Sequence, residues 1–171
     1  MVLQNDVDFG LVDGKLENNS LIYEELFKTK IVLICSDKHP LFSKKKITAE
    51  DISGADFIVR EKDCSTRTEF EHAMSDLGIK WNATWVCSNT NASIRNAAAM
   101  GLGIGVVPEL SAKKDIAGGH MRVISIPGLN MNQTFYMVYH IRKEFSESHA
   151  IFKKYVEDNF DEFFSTNAES M

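Results

Sequence analysis

The segment from Cys87 to Pro108, CSNTNASIRNAAAMGLGIGVVP, constrains the fold more than any other stretch of this 171-residue chain. It reads as a strand, a polar turn, a helix, a glycine turn and a buried strand. Ser88, Asn89, Thr90 and Asn91 stand where the helix should begin, and Asn is among the best N-cap residues. Ile94, Ala97 and Ala98 recur at helical spacing, and Gly101 suits the left-handed residue that ends a helix. Gly103 to Val107 is a short apolar run closed by Pro108, the pattern of a strand buried on both faces. A strand feeding a helix whose free N–H groups face a crevice is a place to hold a small anion or carboxylate.

The rest of the chain alternates in the same way, without repeats or low-complexity tracts. Strands are expected at Phe9 to Val12, Ile31 to Cys35, Phe57 to Val59, Ala83 to Cys87, Ile104 to Val107, Met121 to Ile126 and Phe135 to Ile141. A helix after Cys64 places Phe70, Ala73, Met74 and Leu77 on one face; Thr66 and Glu69 fit a capping box, and Gly78 stops it. A short helix is expected from Pro108 to Ala117. A last one begins near Ser146 and turns Ile151, Phe152, Tyr155, Val156 and Phe160 toward a core. From Ser165 the chain is polar and expected to fray.

Composition narrows the function classes. With 44% apolar and 25% charged residues, the chain can bury a core as one domain or two small lobes. Its net charge of −5 has the wrong sign for holding DNA through phosphates. Lys44-Lys45-Lys46 is the one dense basic run and reads as a solvated loop. Three cysteines, Cys35, Cys64 and Cys87, have no framework spacing, which favours reduced thiols and a cytoplasmic setting. No leader-like or membrane-length apolar segment stands in the sequence. The five histidines are scattered without metal-ligand spacing, and no nucleophile elbow or phosphate loop occurs, so neither an enzyme nor a metal or other cofactor is expected.

Six pieces of the chain, in order, carry a resemblance. Asp8-Phe9-Gly10-Leu11-Val12 is similar to a DLGIV-type strand, and Ile31 to Leu41, IVLICSDKHPL, to a strand followed by a DHPL turn. Ile47 to Ile52 matches a short helix. Phe57 to Arg60 matches the next strand, with Cys64-Ser65-Thr66-Arg67 in place of a Gly-Ser-Gly-Thr-Arg helix start. Gly101 to Pro108, GLGIGVVP, is the most specific piece, and Phe135 to Tyr139 before an amphipathic helix is the last. Together they resemble the effector-binding domain of the LysR-type bacterial transcription regulators.

That resemblance implies an α/β, two-lobed type 2 periplasmic-binding-protein-like fold. One lobe, residues 28–127, would be complete. Residues 1–27 and 128–171 would form a truncated one, because the chain enters the family's pattern part-way, after the helix-turn-helix and the first part of the effector domain. The implied partners are a small, anionic effector held between the lobes and a second copy in a homodimer. DNA would be reached only through a helix-turn-helix domain that this chain does not contain, and no membrane is involved. An apolar edge at Phe9 to Val12 would favour pairing with another chain.

Candidate effector-binding residues follow from the two helix starts. Ser65 and Thr66 begin one, and Asn89, Thr90 and Asn91 begin the other, with Arg67 available for a bidentate contact. Helix capping alone accounts for any one of them; their convergence favours a ligand. Gly103 and Ile104 are added on the resemblance, although close backbone packing explains the glycine equally well. Cys64 offers an alternative. A thiol at a helix start near Arg60 and Arg67 suits redox sensing, as in the peroxide-sensing branch of the family, but no resolving cysteine follows it in the same segment. An extracytoplasmic solute-binding protein is a further alternative with the same fold.

Overall fold

The computed structural model describes residues 1–88 and 90–166. Among the described residues, seven strands and five α-helices follow one another as β1 (Gly10–Val12), β2 (Leu21–Ser36), α1 (Ala49–Ile52), β3 (Asp56–Arg60), α2 (Ser65–Asp76), β4 (Asn82–Cys87), α3 (Asn91–Ala99), β5 (Ile104–Pro108), α4 (Glu109–Ala117), β6 (Met121–Ile124), β7 (Asn132–His140) and α5 (Glu147–Thr166). The chain divides into two compact units. The first comprises residues 1–28 and 134–171, and the second residues 29–133. The second division falls at 133/134 rather than at 127/128, because Ile31 N–H donates to the Met131 carbonyl at 3.0 Å and Gln133 is bonded to Ser65 and Thr66. Strands β2 and β7 each pass from one unit into the other.

In the second unit the strand order is β6-β2-β5-β3-β4. β5 is antiparallel to β2, with Val32 opposite Val107, and parallel to β3, with Phe57 opposite Ile104. β3 and β4 are parallel, with Arg60 opposite Cys87. Side chains alternate across a strand, and here both faces are covered, which explains the unbroken apolar runs in β2, β3 and β5. Ile31, Leu33, Phe57, Val59 and Val106 pack with Phe70 and Met74 of α2 on one face. Val32, Ile34, Ile58 and Val107 pack with Ile94 and Ala98 of α3 and Ala112 of α4 on the other.

Two glycines of β5 and its approach are explained by contact. A Cβ on Gly103, where φ is +153°, would lie 2.6 Å from the Asp56 carbonyl oxygen. A Cβ on Gly105 would meet Ile34 at 3.0 Å, Ile94 at 3.1 Å and Ala98 at 3.3 Å. Gly105 therefore sets how closely α3 can approach the sheet.

In the first unit the order is β1-β7-β2, with Gly10 opposite Val138 and Val12 opposite Tyr136. Phe27 stacks on Phe135 with centroids 4.5 Å apart. Helix α5 is held by Phe9 stacked on Phe152 at 5.2 Å, by Lys153 paired with Glu24, and by His149, whose ring lies 3.0 Å from Asp8. Burial pushes the Glu24 carboxyl up, but Lys153 and the Tyr139 hydroxyl, which donates at 2.6 Å, outweigh it and hold it below the usual range.

Several expectations need correction. β2 begins at Leu21, ten residues before the expected Ile31. The N-cap of α2 is Cys64, so Thr66 lies inside the helix and makes no capping box with Glu69. Leu77 is the C-cap and is exposed. Of the expected apolar face of α5, Val156 is buried, whereas Ile151, Phe152 and Tyr155 are exposed. The side chain of Phe160 and residues 167–171 of the expected frayed tail lie outside what is described; α5 itself continues through Ser165 to Thr166.

The packing predicts that Gly103→Ala loses about 1–3 kcal/mol of unfolding free energy, since a backbone carbonyl must move and φ is strained. Urea denaturation checks this, with Gly54→Ala, whose Cβ would meet nothing within 4 Å, separating the strain of φ from the clash.

Candidate functional site

Parallel β3 and β4 deliver the starts of α2 and α3 to the same edge of the second unit's sheet, because each helix follows the carboxyl end of its strand. Thr90 is the N-cap of α3, and its hydroxyl accepts from the Ala92 N–H at 3.1 Å. Asn91 is the first helical residue. Cys64 caps α2 without a side-chain hydrogen bond, and its carbonyl accepts from the Thr68 N–H at 3.0 Å and hydroxyl at 3.2 Å. The nine-residue α3 and twelve-residue α2 both leave first-turn N–H groups at this edge.

Arg60 ends β3 between the two helix starts. Its Nη1 donates to Asn91 Oδ1 at 3.4 Å, while Nε and Nη2 donate to the two carboxylate oxygens of Glu61 at 2.8 and 2.9 Å. This bidentate pair neutralises the guanidinium next to the site. An anion brought to this edge would meet backbone N–H groups and the positive ends of two helix dipoles.

The predicted residues do not all gather. Ser65, Thr90 and Asn91 lie at the shared edge, with Ser65 and Asn91 half-buried and Thr90 exposed. Thr66 is at the same end but buried, and its hydroxyl, like that of Ser65, accepts from Gln133 Nε2, at 3.1 and 2.8 Å respectively. Arg67 is turned inward. Its Nε donates to Glu71 at 2.7 Å, its Nη1 donates to the Arg60 carbonyl at 3.0 Å, and its guanidinium lies 5.9 Å from the Trp81 ring centroid. That placement commits Arg67 to holding α2 on β3 and replaces the expected bidentate ligand contact. Gly103 and Ile104 sit at the other end of the strands, where Ile104 faces Phe57 and is wholly buried. A β-strand of five residues separates them from the helix starts, so they do not join Ser65, Thr90 and Asn91. Asn89 lies outside the described residues.

Sequence reasoning missed Glu61 and Gln133. Glu61 was legible as an acidic neighbour of Arg60. Gln133 was not, since its partners Ser65 and Thr66 are 68 and 67 residues away. Among the described residues no cluster of His, Cys, Asp or Glu suits a metal ion, and no helix is long and apolar enough to cross a membrane.

The model of the LysR substrate binding domain matches residues 1–161. The chain belongs to this family. Among LysR-type relatives, it is 32% identical over 122 residues to the uncharacterized transcriptional regulator YwqM of Bacillus subtilis, covering 71% of this chain and 41% of that protein. The chain spans about half or less of the length of the first curated relatives it matches. The LysR fold also matches solved structures. The regulatory domain of Synechocystis CcmR in complex with 2-PG has a TM-score of 0.71 at 21% identity, covering 99% of this chain and 77% of that one. The effector-binding domain of QuiR in complex with shikimate has a TM-score of 0.75 at 16% identity, covering 94% and 75%.

The three thiols of this LysR domain differ in setting. Cys64 and Cys87 are half-buried at the edge that carries the helix starts, while Cys35 is wholly inside the core and burial pushes its thiol up to about 11. At pH 8, Cys64 and Cys87 should be alkylated by iodoacetamide in the folded protein and Cys35 only after unfolding. Peptide mass mapping before and after addition of denaturant reads the difference.

Proposed function

We propose that this chain is the effector-sensing part of a LysR-type transcriptional regulator and binds a small anionic metabolite. The reading rests on one observation above others: two helix starts on adjacent parallel strands share one edge, with Thr90, Asn91 and Ser65 presenting hydroxyl and amide groups there. 2-PG and shikimate, the ligands of the related domains CcmR and QuiR, carry acid groups of the kind such an edge attracts. The role proposed is ligand binding, as expected for a domain of this family.

In this account the ligand favours one arrangement of the protein over another. It shifts their populations by no more than its difference in affinity for the two. The transcriptional output then requires a helix-turn-helix domain and pairing with a second copy, both of which belong to the proposed whole regulator, in the cytoplasm.

A thermal-shift series of small mono- and dicarboxylates and phosphate esters, including shikimate, tests the binding step. A ligand at a hundredfold excess over its Kd should stabilise the fold by about 2.7 kcal/mol. Thr90→Ala should weaken the hit while lowering basal stability by about 1 kcal/mol through the lost cap. A hit insensitive to both Thr90→Ala and Ser65→Ala would place binding elsewhere.

A further inference from the structure

A second place in the 29–133 unit has the makings of a ligand site. A groove of about 340 Å³ lies beside β2 and β6, between Glu109, the first residue of α4, and the connection from Ser125 to Asn132. This volume is at the low end of the roughly 300–1,000 Å³ typical of small-molecule sites. The groove lies over β2 and β6, at the carboxyl-end edge where α4 begins but on the far side of β5 from the starts of α2 and α3.

Its lining combines two opposite charges with an apolar floor. Lys30 stands on β2 two residues before Val32, so alternation puts both on the face covered by α4. Val32 and Val123 supply apolar surface, and both pack in the cluster that includes Ala112 of α4. Lys30 and Glu109 are exposed, and neither side chain makes an ion pair or hydrogen bond among the described residues. Elsewhere in the unit, Lys44 is paired with Asp51 and Arg95 with Asp115, each at 2.5 Å. Ser125, Asn130 and Asn132 line the same groove and likewise make no side-chain hydrogen bond among the described residues. An ammonium and a carboxylate facing one groove match a molecule that carries both charges in reverse, whereas a simple carboxylate would leave Glu109 opposed to it.

We propose that this groove binds a free aliphatic α-amino acid. The carboxylate goes to Lys30, the ammonium to Glu109, and the side chain lies on Val32 and Val123. Asn130 and Asn132 offer further donors and acceptors to the two charged ends.

Titration calorimetry of the whole chain with L-leucine, 4-methylpentanoate and 3-methylbutylamine tests this. L-Leucine should bind, and each single-charge analogue should bind at least about tenfold more weakly. Lys30→Met and Glu109→Gln should each weaken L-leucine by a similar factor, and Thr90→Ala should leave it unchanged. Both altered residues are exposed, and circular dichroism melts confirm that the variants fold. Three results would overturn the proposal: no binding of about 10 mM L-leucine to folded protein, L-leucine affinity indifferent to both variants, or analogues binding as well as L-leucine.

Discussion

Burial of β5 between β2 and β3 is the constraint on which the second unit depends. Its residues Ile104 to Pro108 are all buried, its neighbours are antiparallel on one side and parallel on the other, and helices cover both faces. A parallel neighbour requires a crossover, and a helix supplies it. Successive crossovers bring α2, α3 and α4 back to the same carboxyl-end edge. Gly103 and Gly105 belong to this constraint. One allows the backbone to pass Asp56, and the other lets α3 settle against Ile34. Collecting helix starts along one edge is thus a consequence of how the core is filled.

Electrostatics at that edge are tempered by the chain itself. Arg60 ends β3 beside both helix starts, but Glu61 clasps it through two hydrogen bonds while Asn91 accepts a third. Arg67 is committed in the same way to Glu71. Two guanidinium groups that would otherwise dominate anion binding are instead structural. In the proposed site, backbone N–H groups and the Ser65 and Thr90 hydroxyls would then discriminate by shape and hydrogen bonding more than by net charge.

Much of this was legible from local pattern. The Cys87 to Pro108 segment was readable because its cap, helix period, glycine turn and apolar run all lie within about six turns' worth of chain and agree with one another. The first half of β2 was not. Leu21 to Lys28 holds Glu24, Glu25 and Lys28 among apolar residues in no clean alternation, and its strand character comes from pairing with β7 and from contacts such as Phe27 on Phe135. The candidate site divided along the same line. Thr90 and Asn91 were visible as a helix start, whereas the inward turn of Arg67 depends on Glu71, the Arg60 carbonyl and Trp81 together. Gly103 and Ile104 were grouped with the helix starts on the family resemblance, yet a strand runs its full length between the two ends. The exposed apolar residues of α5 show the limit of a periodicity argument, since an apolar stripe predicts a face to be covered without saying how much of it this chain covers.

The most direct test of the central account is an amide chemical-shift titration of the isotopically labelled chain with a carboxylate or phosphate ester that raises its melting temperature. The largest shifts are expected on the first-turn amides of α2 and α3, from Ser65 to Arg67 and from Asn91 to Ser93. Shifts concentrated elsewhere in the sheet, with those amides unmoved at saturation, would contradict it.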